Sequence, residues 1–224
     1  MKPELFLHEE IMLLALSDEE GSIESGVWYQ QAVGGAVIAE LLLAERIRIK
    51  TDGKKQMIAV TQRKSVGNEL VDDWLKQMAQ AEKPKKLSDW LSKIANSKDL
   101  KARVARKLVK QGILEEEQDK VFFFFNRTRY PEANAGPERA IRDRLKAAVF
   151  SSSREVDART VALLSLAKST DILVKLFDKK ALKAEQKRIE SLVEGEHTGK
   201  ATAEIVQSIQ VALMVACIVP VIVT

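Results

Sequence analysis

Lys98 and Lys101 stand three residues apart where a helical pattern begins at Leu100, so their side chains are neighbours on one helical face. The chemistry open to such a pair is capture of an anion. Cations at a helix start oppose the macrodipole, which favours negative charge there. A phosphate would reverse that conflict, held by both ammonium groups and by the unpaired amides of the first turn. From spacing alone the plainer reading is a solvated basic face. A second constellation is Phe122-Phe123-Phe124-Phe125, followed by Arg127, Arg129 and Tyr130. A strand shows alternate side chains to opposite faces, so two of the four phenylalanines need cover from a partner chain or a bilayer. Left open on an edge, they would invite aggregation. Cations beside exposed aromatics suit the headgroup zone of an anionic membrane. Burial of the strand on both sides is the alternative.

Signals for catalysis are poor. His8 and His197 lie at opposite ends of the chain. His8 precedes Glu9-Glu10 with no second histidine to complete a metalloprotease helix, and no glycine-rich phosphate loop occurs. GxSxG is absent as well. Acidic pairs such as Asp72-Asp73 and Glu115-Glu116 read as solvated faces. Cys217, the one cysteine, can make no internal disulfide and has no partner at zinc spacing. It reads as a small buried hydrophobe in a reducing compartment. The expectation is a protein that is no enzyme and uses no cofactor or metal.

The elements that must position these residues are mostly helices. The 224 residues are 46% apolar and 30% charged, with a net charge of +4, enough for one packed core under a charged surface. The fold class expected is mainly α, a single compact multi-helix domain over residues 1–224 with one or two short β-hairpins. Apolar spacing predicts helices at Leu5–Leu16, Val27–Glu45, Glu69–Ala81, Leu87–Ala95 and Leu100–Gln111, the last closed by Gly112. Four more follow at Glu138–Phe150, Asp157–Ser169, Leu182–Glu194 and Thr202–Val219. Between the second and third helices, Ile47, Ile49 and Thr51 alternate with charged residues, and Asp52-Gly53 turns the chain back through Met57 to Val60. That is a β-hairpin. Val121–Phe125 reads as a further strand and Asn126–Pro137 as a loop. The N-terminus lacks the basic start and apolar run of a signal peptide. The apolar Val211–Thr224 run is about 14 residues long and holds Pro220, so it is expected to pack in the core rather than span a bilayer.

Four stretches in register carry a resemblance to a known family. They are Leu5–Leu16 followed by Asp18-Glu19-Glu20-Gly21, Gly34–Leu41 followed by Arg46-Ile47, Val104–Leu114, and Leu163–Leu173. In order and spacing the chain resembles the Golgi phosphoprotein 3 family along nearly its whole length. The resemblance implies a mainly α-helical domain binding phosphatidylinositol 4-phosphate on the cytosolic leaflet of Golgi membranes. It also implies an apolar hairpin for membrane contact and oligomerisation, here residues 121–131, and adaptor work retaining glycosyltransferases. By position, two basic headgroup ligands of the family fall on Lys98 and Lys101, where lysine replaces arginine and gives up the bidentate fork. The family's pocket tryptophan falls near Ser25 and a further arginine near Gly34; neither is kept, and Trp28 lies one turn from Ser25 as a substitute. The start directly at the domain points to a bacterial-type member.

The expected function is thus a peripheral membrane protein that binds anionic phospholipid, a phosphoinositide-like headgroup in particular, as a cytoplasmic adaptor. Its expected partners are anionic lipid and, through the 121–131 hairpin, further copies of itself. Two competitors remain. One is a winged-helix-like nucleic-acid binder using the Ile47–Val60 hairpin with Arg48, Lys50, Lys54, Lys55, Arg63 and Lys64. The other is an oligomeric scaffold without a headgroup site.

Overall fold

In the computed structural model, residues 5–17, 20–121, 125–152, 155–194 and 200–216 are described. The first helix, α1 (Leu7–Ala15), is buried at every position, including His8, Glu9 and Glu10. An apolar sequence explains the burial of six of its nine residues; partners explain the acids. Glu9 accepts from the Phe6 amide at 2.9 Å and from Asn68 Nδ2 at 2.9 Å, and pairs with Lys107 at 3.0 Å. Glu10 pairs with Arg144 at 2.7 Å. Burial on this scale without such partners would cost several kcal/mol per charge, roughly.

The central element is α2 (Tyr29–Leu43), buried along nearly its whole length and packed on α1 and on helices that follow much later in the chain. Gly34 allows the close approach of the helix carrying Leu91: a Cβ added there would lie 3.5 Å from the Leu91 carbonyl oxygen. Buried Glu40 of α2 pairs with Arg159 at 2.8 Å. The chain then forms β1 (Ile47–Asp52) and β2 (Lys55–Val60), antiparallel from Ile47↔Val60 to Asp52↔Lys55, with Gly53 at a φ of 58° in the turn. Only Ile47 and Ile58 of this hairpin are buried, so the rest of it rides on the surface.

Three amphipathic helices follow, α3 (Glu69–Ala79), α4 (Leu87–Ala95) and α5 (Leu100–Lys110). Each turns an apolar stripe inward, such as Leu70, Val71, Trp74, Leu75 and Met78 of α3. Asn68 caps α3 by accepting from the amides of Leu70 and Val71. Gly112, with a φ of 67°, ends the α5 segment as expected.

The aromatic region departs from expectation. The strands are β3 (Glu117–Val121) and β4 (Phe125–Arg129), antiparallel from Glu117↔Arg129 to Val121↔Phe125. Part of the stretch read as loop, Asn126 to Arg129, is therefore strand, while Phe122, Phe123 and Phe124 lie outside the described residues. The sequence misleads here because most of the paired residues are polar, so no apolar alternation marks the strands; Glu117 and Arg129 form a cross-strand pair at 3.3 Å.

The chain ends in α6 (Gly136–Phe150), α7 (Ala158–Ser169), α8 (Leu173–Leu176), α9 (Lys179–Ala184), α10 (Gln186–Val193) and α11 (Lys200–Ala216). Asp157 caps α7 through the Thr160 amide at 2.9 Å. The expected helix Leu182–Glu194 is interrupted at Glu185, giving α9 and α10, and α11 stops at Ala216 in the described residues. The buried core draws on residues from Leu7 in α1 to Ala212 in α11. The fold is mainly α, with two short strand pairs among the described residues.

Candidate anion-binding site

The turn between α4 and α5 builds the site. Helix α4 ends at Asn96, whose side chain folds back to the Ser92 carbonyl at 2.9 Å. Asp99 then takes a left-handed conformation, φ 55°, and the chain reverses into α5. Asp99 accepts the Arg103 amide with its backbone carbonyl, but its side chain does not cap the helix. The first turn of α5 therefore lacks a side-chain acceptor from Asp99, at the positive end of an 11-residue dipole.

Beside this turn lies a cleft of about 670 Å³. Its walls are Tyr29 and Gln30 at the start of α2, Ile23 before it, and the 95–101 segment with Lys98 and Lys101. Lys98 and Asp99 are exposed, while Leu100 anchors the turn in the core. Lys101 lies 5.2 Å from the centre of the buried Tyr130 ring, a cation–π contact that fixes its position. Two lysines thus line the cleft beside one acidic residue, Asp99.

The most informative atom is the Tyr29 hydroxyl. Tyr29 is 3% exposed, and its Oη has no hydrogen-bond partner among the described residues. Ser97 Oγ, in the 95–101 segment that also lines the cleft, is likewise without one. A buried hydroxyl left unpaired costs roughly 1–3 kcal/mol. Burial, with a smaller contribution from Tyr130, pushes the Tyr29 phenol well above its ordinary value, so it stays a neutral donor. Two neutral donors, two cations and a helix start together suit an oxyanion with several acceptor oxygens.

Of the residues singled out from sequence, Lys98 and Lys101 both line the cleft, joined there by Tyr29; Lys98 is not on the face of α5 as its spacing suggests, because the left-handed Asp99 reverses the chain before the helix starts. Trp28 is adjacent to Tyr29 but 49% exposed, and its backbone amide donates to the Thr170 carbonyl at 3.1 Å. Ser25 is exposed, and Gly34 is buried against α4; neither lines the cleft, nor does Trp28. Arg129 pairs with Glu117 within its own hairpin. Phe125 and Arg127 belong to β4, and the remaining phenylalanines lie outside the described residues. Tyr29 and Ser97 escaped sequence reasoning because their value depends on meeting across about 70 residues of chain; no spacing rule announces that.

Among the described residues no helix is long and apolar enough to cross a membrane, and no cluster of three or more His, Cys, Asp or Glu could hold a metal. Known proteins are similar to this chain. Vacuolar protein sorting-associated protein 74 of Eremothecium gossypii is 25% identical over 209 aligned residues, covering 78% of this chain and 62% of the relative. The chain thus spans less than two thirds of the length of that relative. The family model described as Golgi phosphoprotein 3 (GPP34) matches residues 7–209. That match runs from α1 into α11 and includes both walls of the cleft, so this chain belongs to the Golgi phosphoprotein 3 family.

Proposed function

We propose that this chain is a peripheral membrane adaptor that holds the phosphorylated headgroup of an anionic phospholipid, a phosphoinositide in first place, at the mouth of α5. The observation that carries the reading is that Tyr29, whose buried hydroxyl has no hydrogen-bond partner among the described residues, lines the same cleft as Lys98 and Lys101. Family membership supports it, as does the similarity to a vacuolar protein sorting-associated protein. In this reading a phosphate oxygen accepts from Tyr29 Oη, the two lysines neutralise its charge, and the first amides of α5 complete the shell. The β3–β4 hairpin region, whose sequence carries Phe122–Phe125, supplies apolar contact to the bilayer or to a second copy. The protein acts at the cytosolic face of a membrane and performs no catalysis.

Vesicle flotation tests the reading. Wild-type protein is expected to float with phosphatidylinositol 4-phosphate vesicles, less with phosphatidylserine vesicles, and not with neutral phosphatidylcholine vesicles. Cations near an anionic surface contribute about 1 kcal/mol each, so Lys98→Glu with Lys101→Glu should weaken binding by roughly 30-fold or more. Equal flotation of that double variant would remove the proposed headgroup site.

The Ile47–Val60 hairpin gains no support as a nucleic-acid wing. The helix before it, α2, is buried along nearly all its length and cannot enter a groove.

A further inference from the structure

At the other end of α4 the structure holds a second, chemically different cleft. It opens where β2 and the 81–86 segment part company. The Ile58 amide donates to the Lys85 carbonyl at 3.1 Å, and Met57 bridges to Lys86, but beyond that point the two stretches diverge. The resulting cleft of about 360 Å³ is at the small end of the range for ligand pockets. Its floor is apolar: Met78 and Trp90 are buried, and Met57 is half-buried. Its rim carries Lys50, Arg63, Lys83 and Lys85, and no carboxylate lines it. None of those four cations has an ion-pair partner among the described residues.

The backbone adds a directional feature. Side chains and amides alternate along a strand, so the Val60 amide points the same way as that of Ile58, away from β1. It has no partner among the described residues. One unpaired strand amide, an apolar floor and a cationic rim are the requirements for an extended peptide laid along a sheet edge.

We propose that this cleft docks an acidic, extended segment of a partner protein, with one apolar side chain seated over Met57, Met78 and Trp90 and flanking carboxylates on the four cations. Charge complementarity selects the acidic class. The apolar floor argues for a peptide over nucleic acid, because a phosphate backbone offers nothing to fill it. Concavity argues against a bilayer, which needs a convex or flat contact. The proposal is independent of the headgroup site.

Fluorescence anisotropy with a labelled synthetic peptide tests it, the probe carrying a central leucine between runs of aspartate and glutamate. Binding that weakens with salt is expected, reduced at least about tenfold by Arg63→Glu with Lys83→Glu, two exposed positions where reversal should leave the melting temperature unchanged. A peptide with serine in place of the leucine should also bind more weakly. Lys98→Glu with Lys101→Glu should leave peptide binding intact. The proposal is overturned if the peptide does not bind, if the Arg63/Lys83 variant binds it equally, or if the Lys98/Lys101 variant loses it. It is also overturned if the peptide fails to bind while the Arg63/Lys83 variant loses duplex DNA or phosphatidylserine vesicles instead, since the rim would then serve one of those.

Discussion

Tyr29 and His8 show how burial turns ordinary side chains into specific ones. Tyr29→Phe removes a hydroxyl that has no hydrogen-bond partner among the described residues, so the variant should fold as well as wild type or better, by up to about 1–3 kcal/mol. The same change should weaken inositol phosphate binding in calorimetry. A loss of stability together with unchanged binding would mean that the hydroxyl serves the fold rather than a ligand. His8 is driven down to about 3 by burial first, then by Lys107 and Arg159. It is neutral in the native state and protonates in the unfolded chain below an ordinary value near 6.5. The unfolded state therefore binds the extra proton, and stability falls as pH drops from about 6.5 toward 3, by about 1.4 kcal/mol per unit at most. Glu10 works in the opposite sense, since burial raises it and stability is lost as pH rises through its window. Comparing urea midpoints of wild type and His8→Phe across pH isolates the histidine: the variant's acid slope should be shallower.

Among the elements, two glycines separate conformational need from mere smallness. Gly21 has a φ of 59°, and an added Cβ would lie 2.3 Å from the Pro131 nitrogen. The Tyr130 amide donates to the Gly21 carbonyl at 2.9 Å, so the loop before α2 is tied directly to the end of β4. Gly21→Ala should therefore cost more than the roughly 1–2 kcal/mol of left-handed strain alone. It should also shift the aromatic hairpin, visible as altered amide resonances around Tyr130. Gly34 behaves differently. A methyl group there meets Leu91 at an ordinary contact distance, and a helix interior prefers alanine by up to about 1 kcal/mol. Gly34→Ala should be neutral or mildly stabilising in thermal melts, whereas a larger side chain would push α2 off α4.

Over the whole molecule, charge is buried in pairs that span the chain. Glu40 and Arg159 join α2 to α7 at 2.8 Å, and Arg159 also donates to the Leu5 carbonyl just ahead of α1. Arg159→Ala leaves a buried carboxylate without its cation and should cost about 3–5 kcal/mol in chemical denaturation. Combining Glu40→Gln with Arg159→Met should recover much of that loss, because the uncompensated charge is gone. The buried core forms one cluster that draws on helices from α1 to α11. Unfolding followed by fluorescence and by circular dichroism should accordingly give one coincident transition, the signature of a single cooperative domain.

How far the chain was legible depends on whether local or distant contacts decide each feature. Amphipathic stripes placed α3, α4 and α5 within two residues, and Asp52-Gly53 placed the first hairpin, because periodicity and turn chemistry are written into neighbouring residues. Lys98 and Lys101 were visible as a basic pair, but the left-handed Asp99 puts Lys98 ahead of α5 rather than on its face. For the second hairpin only the neighbourhood was legible: its strands begin earlier, at Glu117, and extend to Arg129, because its mostly polar residues carry no alternation. The split at Glu185 likewise interrupts a pattern that reads as one helix. Sequence by itself determined the helical class, the family resemblance and the cationic helix mouth. Only the folded chain places Tyr29 and Ser97 in the lining of one cleft with those lysines, leaves Ser25, Trp28 and Gly34 out of it, and opens a basic, apolar-floored cleft between β2 and the 81–86 segment. The physical reason is that a site is made of atoms within a few ångströms of one another, and packing brings together side chains that the chain separates by dozens of residues.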